Sequence, residues 1–139
     1  MIQKILIPVL VLLNIYLVDG QNAYPQDDFI PPVDYKMALS GTFAELRNDH
    51  FHSGIDIKTQ GVEGKKLKSI ADGFVSRVAV SAGGFGRALY IDHPNGYTSV
   101  YGHCKNFSPE IEAYVKKEQY NVESFEINLF PEPGQFIFK

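Results

Sequence analysis

Cysteine is almost missing from this sequence. Cys104 is the single one in 139 residues. That excludes an intrachain disulfide, and its distance from the N-terminus excludes a lipid-modified terminal cysteine. Runs of like charge are missing as well, so no segment reads as a charged interaction tail. The formal net charge of −3 lacks the basic excess that neutralising phosphates demands, which argues against nucleic acid as a partner. Long apolar runs are confined to the start. Ile5 to Leu13 is unbroken, Asn14 interrupts it, and Ile15 to Val18 resume it. The whole run is too short to span a bilayer comfortably. With Lys4 ahead of it and the small residues Val18 and Gly20 behind, residues 1–20 read as a signal peptide cleaved near Gly20-Gln21, leaving no stable membrane span. An exported chain without disulfides fits the periplasm or exterior of a bacterial envelope better than a eukaryotic secretory product.

What remains is patterned as one mainly β domain. The length allows a single domain, and the Phe and Tyr content favours strands. Residues 21–38 carry Pro25, Asp27, Asp28, Pro31 and Pro32, and they predict an extended, loosely packed lead-in. The domain proper is expected over 39–139. Short strands are expected over 40–46 and 55–58. From Phe74 to Ala82 the sequence alternates, with Phe74, Ser76, Val78 and Val80 on one face and Val75, Arg77 and Ala79 on the other. Gly83 to Gly86 form a flexible link that lacks the Lys-Ser/Thr of a phosphate loop. Arg87 to His93 and Tyr97 to Cys104 predict a strand pair across Asn95-Gly96, two residues that tolerate positive φ. Ser108-Pro109-Glu110 predicts a helix over 108–120, with Ser108 as N-cap, Pro109 in the first turn and Glu110 at the positive end of the dipole. Ile111, Tyr114 and Val115 are its apolar stripe, with Lys116 and Lys117 near its C-terminal end. A strand follows from Ser124 to Phe130. Pro131 to Gly134 break it, and Gln135 to Phe138 begin another that leaves an open edge.

The chemistry concentrates in His52-Ser53-Gly54-Ile55-Asp56. On a straight strand His52 and Asp56 would lie roughly 13 Å apart, too far to share an ion. A glycine between them permits a sharp turn that brings them together. Both are natural Zn²⁺ ligands, nitrogen and oxygen at about 2 Å. The alternative is a polar turn with Asp56 capping and His52 solvated. His103 shares strand parity with Tyr97, Ser99 and Tyr101, which makes that face a candidate wall of a polar cleft. His93, just before Pro94-Asn95-Gly96, fits a hairpin-flanking role. His50 and Asp49 fit a solvated loop, and Cys104, of opposite parity to His103, fits a buried, inert thiol.

In order along the chain, five pieces resemble the lysostaphin-type (LytM-like) zinc metalloendopeptidases. They are His52-Ser53-Gly54-Ile55-Asp56, Ala71-Asp72-Gly73-Phe74-Val75, Gly86 with Leu89-Tyr90-Ile91-Asp92-His93, Asn95-Gly96-Tyr97, and Tyr101-Gly102-His103. The resemblance implies an antiparallel, sandwich-like β fold (the duplicated hybrid motif) with a narrow groove, into which the 108–120 helix is inserted. It implies a Zn²⁺ cofactor and peptidoglycan peptides as substrate, with no nucleic acid involved. His52 and Asp56 match the family's first two metal ligands. His103 matches the non-ligand catalytic histidine that orients the attacking water. The third ligand and a further histidine come, in the family, from a later His-x-His pair. No histidine follows His103 here, so the chain reads as C-terminally incomplete and on its own inactive. Two alternatives stand beside this. One is a non-catalytic member that binds cell wall or regulates another hydrolase. The other is a biotinyl- or lipoyl-type carrier, suggested by Lys68 to Val75 but lacking a lysine beside Asn95-Gly96.

Overall fold

The computed structural model describes Pro25 and residues 27–139; the expected signal peptide lies outside the described residues. Among them, no helix is long and apolar enough to cross a membrane. The fold is mainly β, with antiparallel sheets and one helix. Strands β1 (Leu39–Gly41) and β2 (Asp56–Ile57) form a two-stranded ladder. Five strands make the larger sheet: β3 (Gly73–Val80), β4 (Arg87–Asp92), β5 (Thr98–Tyr101), β6 (Ile127–Leu129) and β7 (Ile137–Phe138). The helix α1 (Pro109–Asn121) lies between β5 and β6 in sequence. The sheet order is β5-β4-β3-β6, with β7 also on β3.

The expected alternation of β3 is broken by one extra residue. Phe74 pairs with Asp92 and Val75 with Ile91, but Arg77 pairs with Tyr90, so Ser76 has no counterpart on β4. This bulge shifts the parity. Val75, Val78 and Val80 therefore all enter the core, where Ile111 and Val115 of α1 meet them and Leu89, Phe107, Ile127, Leu129, Phe136 and Phe138 pack around the rim. Ile111 is 1% exposed. Ile111→Ala leaves a cavity against three valines and is expected to lower unfolding free energy by about 2–5 kcal/mol, read by urea denaturation.

Other expectations are refined by local chemistry. The hairpin at Asn95-Gly96 forms, with His93 N donating to Tyr97 O at 2.8 Å and Gly96 N to His93 O at 3.0 Å. Only Gly96 takes positive φ, at 84°. The loop is thus a three-residue turn closed by a left-handed glycine rather than a two-residue turn. Helix α1 starts as expected, but the Ser108 side chain makes no capping hydrogen bond. Glu112 instead ties down the residue ahead of the cap, its Oε2 accepting from Phe107 N at 3.1 Å while also pairing with Arg87. The helix runs on to Asn121, so Lys116 and Lys117 fall short of its last turn, which has no basic residue. The lead-in is better packed than expected. Ile30 N donates to Ile70 O and Lys68 N to Pro32 O, and Val33 is buried. Proline lacks an N–H but keeps its carbonyl, so Pro31-Pro32 can still accept such bonds. The outer side of β3 is also covered: β6 pairs with Val78–Val80 and β7 with Gly73 and Phe74.

Candidate metal centre

The β1–β2 ladder fixes Asp56 opposite Gly41. The loop between these strands folds back as a small hairpin of its own. Ala44 N donates to His52 O at 2.7 Å, His52 N to Glu45 O at 2.8 Å, and Arg47 N to His50 O at 2.8 Å, around a Leu46–Phe51 bridge. The result brings His52 back onto Asp56, with Nε2 3.3 Å from Oδ1. The His52 side chain is 18% exposed and that of Asp56 44%, so the pair is sheltered but open to solvent on one side.

The hydrogen bonds assign the imidazole tautomer. Nη2 of Arg47 lies 2.6 Å from Asp56 Oδ2, 3.1 Å from Glu45 Oε2 and 3.3 Å from His52 Nδ1. Its two hydrogens are taken by the two carboxylates. His52 Nδ1 therefore donates to Thr42 O, at 3.0 Å. Nε2 is left with a lone pair facing a carboxylate oxygen. Two lone pairs at that distance repel, and only a proton or a metal ion between them relieves it. Two ligands at about 2.0–2.1 Å on a tetrahedral Zn²⁺ stand roughly 3.4 Å apart, which matches the observed 3.3 Å. A backbone carbonyl behind the ligating imidazole is also the usual support of such a site. Two donors thus fit one ion. Among the described residues, no group of three or more His, Cys, Asp or Glu side chains comes together to hold one.

The glycine that makes this possible is not the one the sequence points to. The chain bends at Gly54, but with no positive φ, and a Cβ there would meet open space. Gly41 has no such room. A Cβ on it would overlap Asp56 Oδ2 and come within 2.5 Å of Arg47 Nη2. Neither Gly41 nor Arg47 was singled out from the sequence. Their signal was the position of an arginine and a glycine in the strand and loop leading to His52, legible only once β1 is known to pair with β2.

The remaining histidines separate. Strand β5 ends at Tyr101, and His103 sits in the left-handed region at φ 54°. It therefore leaves the face shared by Ser99 and Tyr101, whose hydroxyls lie 3.3 Å apart. Its exposed ring packs edge-on against Phe85 at 6.5 Å. No hydrogen bond or ring contact joins it to His52 or Asp56 among the described residues. His50 is turned away by the 47–50 turn and pairs with Asp49 at 2.6 Å. His93 is 5% exposed, held between Asp72 O at 2.8 Å and Ser99 Oγ at 2.9 Å, with Phe29 against its ring. Every polar atom of that ring is satisfied internally, which marks it as architecture. Burial pushes the Cys104 thiol up despite the opposing charge of Arg87, which disfavours the thiolate needed for ligation or attack.

Residues 50–120 match the model of Peptidase family M23. The chain belongs to this family. The M23 match takes in His52, Asp56 and His103, strands β2 to β5 and nearly all of α1, so this stretch is peptidase or peptidase-like. It begins after Gly41 and Arg47. Comparison with curated proteins and with solved structures gave no match.

Proposed function

We propose that this M23 protein serves an exported, zinc-dependent endopeptidase that hydrolyses the peptide cross-links of peptidoglycan. The observation that supports it is the facing of His52 Nε2 and Asp56 Oδ1 at 3.3 Å inside the matched segment. His52 and Asp56 are the two ligands this chain offers, and a catalytic zinc takes three protein ligands. Among the described residues no third donor joins them. The ion supplies Lewis-acid polarisation of the scissile carbonyl and a nucleophile at neutral pH. Thr42 O keeps the His52 lone pair on Nε2. His103, whose ring nitrogens make no hydrogen bond among the described residues, accepts the proton released as water attacks the peptide carbonyl and returns it to the leaving amine.

One observation favours a second role, a non-catalytic member that binds cell wall or regulates a hydrolase: no third donor joins the pair among the described residues. The two are separated by a protein carrying these residues together with a downstream His-x-His segment. The enzyme binds one zinc, cleaves glycine- or diaminopimelate-linked peptides, and loses turnover to a chelator. His103→Ala then lowers turnover by about 10²–10⁴-fold. Cleavage that survives chelation would exclude the metallopeptidase, and full turnover in His103→Ala would remove its assigned role.

A further inference from the structure

The carboxylate of the pair is gripped from behind by one guanidinium, which also lies beside the imidazole. Arg47 Nη2 contacts Asp56 on Oδ2, the oxygen turned away from His52, and approaches His52 on Nδ1, the nitrogen turned away from Asp56. The inner atoms, Nε2 and Oδ1, are left facing each other. Glu45 Oε2, 3.1 Å from the same nitrogen, holds the guanidinium from the other side. Arg47 Nε is buried with no hydrogen-bond partner, so the side chain is not placed to satisfy all of its own donors. It is placed where Nη2 meets the carboxylates of Asp56 and Glu45. Gly41 leaves the space in which the Arg47–Asp56 contact forms.

We infer that Arg47 is a positioning residue for metal uptake. By occupying Oδ2 it restricts Asp56 to one ligating oxygen and aims that oxygen at the ion His52 shares. This rests on the zinc site proposed above. It is distinct from an electrostatic role, and the two have opposite signs. Glu45, Arg47 and Asp56 together carry a charge of −1. Removing Arg47 leaves −2, which by charge alone attracts a divalent cation more strongly. Losing a support behind a ligand instead costs about 10–100-fold in metal affinity. The surface exposure of the trio screens the Coulomb gain, so positioning wins.

The test is titration of the 139-residue chain with Zn²⁺ alone, followed through the His52 ring resonances, for the wild type, Arg47→Ala and Arg47→Lys. Melting of each metal-free chain is measured alongside. Arg47→Ala is expected to weaken uptake by about 10–100-fold with little change in metal-free melting. Arg47→Lys keeps the charge but lacks the planar fork, and is expected to recover only part of the loss. Uptake that is unchanged or tighter in Arg47→Ala overturns the positioning role while leaving the zinc site standing. Full recovery by Arg47→Lys overturns it in favour of charge. Failure of the wild type to shift the His52 resonances overturns the zinc site and this inference together. Should Arg47→Ala not fold, Glu45→Gln reports on the same clamp: loosening it weakens uptake, whereas a spectator Glu45 leaves uptake as it was.

Discussion

Asp56→Asn is expected to abolish zinc uptake while leaving the metal-free protein as stable as before. The carboxylate supplies the charged half of the pair, and an amide oxygen is a poor substitute on a divalent ion. Stability behaves differently because two terms oppose each other. The ion pair with Arg47 is lost, but the side chains are 38% and 44% exposed, and such pairs contribute about 0–1 kcal/mol. In exchange, the new amide N–H₂ donates to His52 Nε2, keeping the contact with the imidazole as a hydrogen bond of about 0.5–1.5 kcal/mol. Calorimetric titration with Zn²⁺ and a thermal melt of the same sample separate the effects. A variant that retained wild-type affinity would show that Asp56 is not a ligand. A large drop in metal-free melting would show that the pair was built for stability instead.

Gly41→Ala is expected to match or exceed the loss seen on removing Arg47, because one methyl group displaces the carboxylate and the guanidinium together. Both displaced groups are side-chain ends, so the backbone need not move and the stability cost stays at the low end of the about 1–3 kcal/mol typical of overpacking. Gly54→Ala is the internal comparison. It meets no atom within 4 Å, and its effect on uptake is expected to stay near twofold, within the range of about ±0.5 kcal/mol for unobstructed surface changes. Titrating both variants with Zn²⁺ decides the matter. If Gly54→Ala proved the more damaging of the two, the backbone inside the His52–Asp56 segment, and not the space beneath Asp56, would control the geometry.

The sequence made the class of fold legible because its strongest signals are local. Asn95-Gly96 closes a hairpin, Ser108-Pro109 starts a helix, and alternation marks β3. What it hid depends on partners distant along the chain. The bulge at Ser76 is invisible without β4, since an extra residue shows only against a partner's count. The left-handed His103 breaks a parity that holds through Tyr101, and Gly102 is the one local sign before it that the strand ends. Strands β6 and β7 both add to β3 and pair with no further strand, with Phe136 and Phe138 packed against the core, a placement that no local signal in residues 127–138 announces. In the site, His52 and Asp56 were visible as donor types at a spacing. Arg47, Thr42 and Gly41 were not, because each acts through atoms that approach only after β1 meets β2.

Strand β3 carries one residue more than its neighbour needs. With Ser76 taken out, Val75, Arg77, Val78, Ala79 and Val80 read as an unbroken inward-outward sequence, so the apolar phase of the strand is the same with or without it. A change of length at that single point is thus silent to the interior. It is felt through the Ser76 hydroxyl on Asp92, 2.9 Å away, through the spacing between the β7 and β6 pairings on the other side of β3, and through the local coiling of the sheet. This is one place in the larger sheet where the chain can be shortened by a unit and still point the same valines inward.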